Sequence, residues 1–87
     1  MPSIEEIVEE MRRNPRNIRF AELCRVCEAY FGKPRIHGSH HYYRNIWSVD
    51  PRICLQRDGN KAKEYQVQQV LRAIKDAEYA GKGPNHV

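Results

Sequence analysis

No stretch of the 87 residues approaches the roughly 18 to 20 consecutive apolar residues that a membrane-spanning helix needs, so no membrane partner is expected. The first 13 residues alternate acids with aliphatics and lack an apolar signal core, which argues against export. Cysteine is scarce. Cys24, Cys27 and Cys54 are odd in number and irregular in spacing, unlike the even, dense usage of a secreted disulfide framework, so a reducing cytoplasmic setting is expected. Cys24 and Cys27 form a CxxC, yet no second CxxC supplies the other two ligands of a zinc site. They share helical spacing with Phe20, Leu23 and Phe31, the pattern of packed core thiols. Gly59 is followed by no GK[ST], which excludes a nucleotide P-loop. Repeats, low-complexity tracts and linkers are absent, and the length leaves room for a single small core. A large cofactor-binding enzyme fold does not fit, and no cofactor or metal is expected.

What is present suits a folded domain. Hydrophobic types make up 40% of the chain and charged types 30%, enough apolar material to avoid disorder. Fifteen Lys and Arg against 11 Asp and Glu give a net charge of +4, which permits a polyanionic partner without demanding one. Ser3 and Glu6 form a capping box ahead of Ile4, Ile7, Val8 and Met11, predicting a helix over 3–13 that Asn14-Pro15 stops. A second helix is expected over 20–31, ending at Gly32. Short strands follow at Arg35–His37, His40–Trp47 and Arg52–Gln56, with turn chemistry at Gly38-Ser39, at Ser48-Val49-Asp50-Pro51 and at Asp58-Gly59-Asn60. Val67, Val70, Leu71, Ile74 and Ala77 mark one face of a last helix over 64–78. The fold class is therefore α+β. Three antiparallel strands carry helices on one face and leave the other face bare.

The densest chemical signal is Gly38-Ser39-His40-His41-Tyr42-Tyr43-Arg44. Alternation on a strand puts His40, Tyr42 and Arg44 on one face and His41, Tyr43 and Asn45 on the other. Imidazole titrates near neutral pH and is a natural proton-transfer group, while an arginine on the same face can hold a phosphate. On spacing alone the pair also fits surface histidines or a metal site. Tyr42, Tyr43 and Trp47, interleaved with Arg44, could stack nucleobases or belong to the core. A second cluster, Arg57, Lys61 and Lys63, precedes the last helix, where a helix N-terminus attracts phosphate; a plain solvated surface is the alternative.

Three segments then carry a resemblance: Asn14-Pro15-Arg16-Asn17-Ile18-Arg19-Phe20 leading into a helix, Gly38 to Arg44, and Asp58-Gly59-Asn60-Lys61-Ala62-Lys63-Glu64-Tyr65-Gln66-Val67. In that order, across residues 14–78, they resemble the HicA family of bacterial toxins, small messenger-RNA endoribonucleases paired with a HicB antitoxin. The resemblance implies a double-stranded-RNA-binding-like α-β-β-β-α core over about 18–78, with residues 1–14 an added helix and 80–87 a flexible tail. It also implies metal-independent cleavage by the histidine that follows Gly-Ser. That histidine is His40, with His41 in reserve, because Tyr43 as a core anchor turns His41 inward. Gly38, Ser39, Tyr42, Arg44, Arg57, Lys61 and Lys63 are the expected RNA- and phosphate-binding residues. The chain departs from the family at Asn45-Ile46-Trp47, where many members have His-Pro and an aliphatic strand, and at Glu64, where one subgroup often has Pro. Neither departure removes a proton-transfer group, and both bear on substrate preference. A non-catalytic RNA-binding module and a purely protein-binding subunit are the rival readings.

Overall fold

The computed structural model describes residues 2–49 and 51–84. Its elements run α1 (Ile4–Arg13), α2 (Phe20–Phe31), β1 (Arg35–His37), β2 (His40–Arg44), β3 (Arg52–Gln56) and α3 (Glu64–Tyr79). From α2 onward the order is α-β-β-β-α, and α1 is an addition ahead of that core.

Local chemistry explains where α1 starts and stops. Ser3 Oγ accepts from the Glu6 N–H at 3.2 Å, and Glu6 Oε1 accepts from the Ser3 N–H at 2.9 Å, so the capping box forms. Asn14 closes the other end, donating its N–H to the Glu10 carbonyl at 2.7 Å. Ile7, Val8 and Met11 are buried where α1 lies against α2 and α3. Helix α2 buries Phe20, Leu23, Val26 and Cys27 and ends at Gly32; α3 buries Val67, Val70, Ala73, Ile74 and Ala77.

The sheet has strand order β1-β2-β3, antiparallel throughout. Helix α2 packs on β2 and α3 on β3, which places the helices on one face of the sheet. Tyr43, Ile53 and Leu55 point into that layer and are buried, so alternation sends their strand neighbours to the opposite, uncovered face. Strand β1 extends past the helical cover, and Ile36 is 62% exposed even though its side chain faces the helical side.

Two boundaries differ from the sequence pattern. Strand β2 ends at Arg44 rather than Trp47 because Asn45 turns the chain. The Asn45 side-chain oxygen accepts from the Trp47 N–H at 3.2 Å, its amide nitrogen donates to Asp76 on α3 at 3.2 Å, and its backbone N–H donates to the Pro51 carbonyl at 2.6 Å. An Asx-type turn competes successfully with strand continuation there. Helix α3 runs one residue beyond 78. Within the expected turn at 48–51, Asp50 lies outside the described residues, as do residues 85–87 of the expected tail.

Candidate nucleic-acid interface

Gly38-Ser39 is the two-residue connection between β1 and β2, and Gly38 sits at φ +61° while Ser39 keeps a negative φ. A first turn residue in the left-handed region followed by an ordinary second one is the type II′ pattern, in which glycine avoids a steric penalty that any Cβ would bring. The turn fixes the register, setting His37 opposite His40, Ile36 opposite His41 and Arg35 opposite Tyr42. On the far side of β2, His40 faces Gln56, Tyr42 faces Cys54 and Arg44 faces Arg52.

Three rows of side chains therefore cross the uncovered face: His37–His40–Gln56, then Arg35–Tyr42–Cys54, then Arg44–Arg52. Among the strand residues pointing to this face there are three arginines, two histidines and a tyrosine, and no carboxylate. A groove of about 660 Å³ takes in part of it, lined by Lys33, Arg35, His37, Tyr42, Arg44 and Arg52 together with Phe31, Tyr43 and Pro51; His40 lies outside this groove. The His40 and Tyr42 rings lie nearly parallel, their centroids 6.0 Å apart with planes at 20°. Tyr42 is 40% exposed, leaving ring surface for a base to stack on.

His41 occupies a different environment. Its ring meets Phe20 of α2 edge-on at 5.1 Å, and its Nδ1 is buried without a protein hydrogen-bond partner. The Arg57 guanidinium lies 5.3 Å from the centre of that same Phe20 ring, a cation–π contact on the helical side of the sheet. Lys61 belongs there too: Phe20 N–H donates to the Asn60 carbonyl at 2.9 Å and Ala62 N–H to the Ile18 carbonyl at 2.8 Å, zipping the turn onto the start of α2. Asn17, Arg19, Phe20, Arg57, Asn60 and Lys61 line a separate groove of about 670 Å³. Lys63 immediately precedes α3 and lines neither groove.

The expected site thus divides. The fold unites His40, Tyr42 and Arg44 with the Gly38-Ser39 turn on one face, and places Arg57 and Lys61 with the reserve His41 on the other side. Trp47 does not join the strand face; it packs against Phe31 with ring centroids 6.0 Å apart. The sequence reading passed over Arg35, His37 and Arg52. His37 had a legible signal, because the two residues flanking a two-residue hairpin turn are cross-strand neighbours. Glu64, one of the departures from the family pattern, accepts from Arg16 Nε at 3.1 Å and ties the segment before α2 to the start of α3.

Beneath the histidine face the core is apolar. Cys27 is fully buried, which pushes its thiol well above the usual range. Burial also holds the Tyr43 hydroxyl far above an ordinary tyrosine, helped by the neighbouring Cys24 thiol. None of the three cysteines is bonded to another, and no group of three or more potential metal ligands occurs among the described residues. No helix there is long and apolar enough to cross a membrane.

Gln66 is the buried polar residue closest in role to the site. Oriented so that both groups are satisfied, its amide donates to the Gln56 carbonyl at 3.1 Å and accepts from the Gln56 N–H at 3.0 Å. The register explains why those groups are free. His40 spends its backbone pair on His37 across the tight turn, so Gln56 must turn its own pair outward. Gln66 thereby acts as a one-residue strand, pinning the end of β3 beside His40. Comparison with protein-family models, with curated proteins and with solved structures finds no match to this chain.

Proposed function

We propose that this protein is a metal-independent endoribonuclease acting on single-stranded messenger RNA, the toxin of a toxin–antitoxin pair held in check by a HicB-type antitoxin in the cytoplasm. The observation that carries the reading is the uncovered sheet face, where His40 adjoins an exposed tyrosine and arginines lie beside and beyond that tyrosine, with no carboxylate among the outward strand residues. Such a face attracts a polyanion, offers Tyr42 for base stacking and presents an imidazole where the phosphodiester would lie. The resemblance of residues 14–78 to the HicA family supplies the toxin assignment, and the antitoxin would cover this same face.

In the reaction, His40 moves a proton at the 2′-hydroxyl or at the leaving oxygen, and Arg44 with Arg35 neutralises the phosphate. Arg57 and Lys61, on the helical side, serve as a distal contact for the RNA backbone. The test is cleavage of single-stranded RNA in EDTA by the parent and by His40→Ala. The variant should lose about 10²- to 10⁴-fold in rate, the usual worth of one general acid or base. Full cleavage by His40→Ala refutes the assignment. Salt-sensitive RNA retention by folded parent without any shortened product would instead identify a binding module.

A further inference from the structure

Of the two histidines that the sequence sets side by side, only His40 reaches the uncovered face; the histidine that accompanies it there is His37, from the neighbouring strand. The two are directly opposed across the Gly38-Ser39 turn, and opposed residues on one sheet face have Cβ atoms about 4.5–5.5 Å apart. His37 is exposed and lines the same groove as Tyr42 and Arg44, and its side chain has no hydrogen bond, ion pair or ring contact to another described residue that would hold it in a structural role. We infer that His37 and His40 form an acid–base pair that cleaves RNA by internal transphosphorylation. The inference rests on the ribonuclease reading above and adds the second half of its proton inventory.

RNA strand cleavage by the 2′-hydroxyl needs two proton transfers. One neutral imidazole takes the 2′-hydroxyl proton as the 2′-oxygen forms its bond to phosphorus. The bond from phosphorus to the 5′-oxygen breaks, and the second imidazole, protonated at the start, gives its proton to that leaving oxygen. The products are a 2′,3′-cyclic phosphate and a 5′-hydroxyl, and exchange with water returns both imidazoles to their starting states. One histidine alone leaves one of these transfers to solvent. Two imidazoles on adjacent strands can stand on either side of a phosphate, one serving as base and the other as acid. The groups facing them are Arg35 on β1, Tyr42 and Arg44 on β2, and Arg52, Cys54 and Gln56 on β3, with Lys33 at the groove's edge; no carboxylate on the strands competes for the protons.

The test uses the full chain and a mixed-sequence single-stranded RNA, with EDTA present, for the parent, His37→Ala and His40→Ala. The parent should show a bell-shaped pH dependence of kcat/KM. His37→Ala should lose about 10²- to 10⁴-fold and one limb of the bell, with its unfolding midpoint unchanged because the side chain is exposed. A second substrate, carrying sulfur in place of the 5′-bridging oxygen at the mapped cleavage position, has a leaving group that needs no acid. It should restore one of the two variants and not the other. Parent-like rate and bell in His37→Ala overturn the inference while the ribonuclease reading stands. Sulfur rescue of neither variant overturns it too, since a residue that merely positions RNA gains nothing from a better leaving group. Cleavage abolished by EDTA and restored by zinc would make the pair metal ligands instead. A folded parent that leaves RNA intact overturns both readings together.

Discussion

Replacing Gln66 by leucine tests whether one buried amide holds the end of the sheet. The side chain is 2% exposed, and leucine fills nearly the same volume without either polar group. Two hydrogen bonds to the Gln56 backbone disappear, each worth about 0.5–1.5 kcal/mol net. The abandoned N–H and carbonyl face the apolar underside of α3, where an unsatisfied group costs about 1–3 kcal/mol. Gln56 is only half-buried, so water reaches part of this edge and the combined loss should be about 2–4 kcal/mol. In a domain of this size each kcal/mol moves the midpoint by about 4–8 °C, so thermal unfolding should fall by about 8–32 °C. Denaturant titration gives the free energy directly, and hydrogen exchange at Gln56 shows where the loss sits. Gln66→Glu keeps one acceptor for the Gln56 N–H but cannot donate to its carbonyl, and should be no better than leucine. If Gln66→Leu unfolds within about 0.5 kcal/mol of the parent, as an indifferent surface change would, the strand-mimicking role is wrong.

Other substitutions probe the remaining supports. Gly38→Ala forces a Cβ into the left-handed region at φ +61° and should cost about 1–2 kcal/mol in denaturant unfolding while lowering RNA cleavage, because the turn sets His37 opposite His40. Phe20→Ala removes the ring shared by His41 and Arg57 and should cost about 3–5 kcal/mol by the same measurement. Ser3→Ala breaks the α1 capping box for about 1 kcal/mol, leaving cleavage untouched. Alkaline stability carries a sign. The native state keeps Cys27 and Tyr43 protonated while the unfolded chain releases those protons, so stability is whole below their unfolded pKa values and falls as pH rises past about 9 to 10. Tyr43→Phe should flatten the upper part of that fall in unfolding curves collected from pH 8 to 11.

Much of the fold was legible because local chemistry dictates it. The Ser3–Glu6 box, the break at Asn14-Pro15, the stop at Gly32 and the 3-4 spacing of Val67, Val70, Ile74 and Ala77 depend on residues within a turn or two of each other. The same holds for the facing of β2: one buried residue, Tyr43, fixes the side that His40, Tyr42 and Arg44 take. Strand β2 stops short of the pattern's reach because Asn45 makes an Asx-type turn with Trp47 and is held there by a partner from afar, the Asp76 carboxylate.

What only the tertiary structure decided is which charged and titratable groups meet. In sequence, His40 is next to His41 and the basic run at 57–63 stands as one cluster. Strand alternation separates the adjacent histidines by the thickness of the sheet, and the pairing of the turn at 58–61 with residues 18–20 carries Arg57 and Lys61 to the helical side. Register instead brings His37 to His40, Arg35 to Tyr42 and Arg52 to Arg44, across strands that the sequence leaves unordered. The sequence by itself determined the elements and the face each residue would take, since those follow from periods of two and 3.6. The composition of the face came from strand pairing, a long-range choice made by burying Tyr43, Ile53 and Leu55 against α2 and α3.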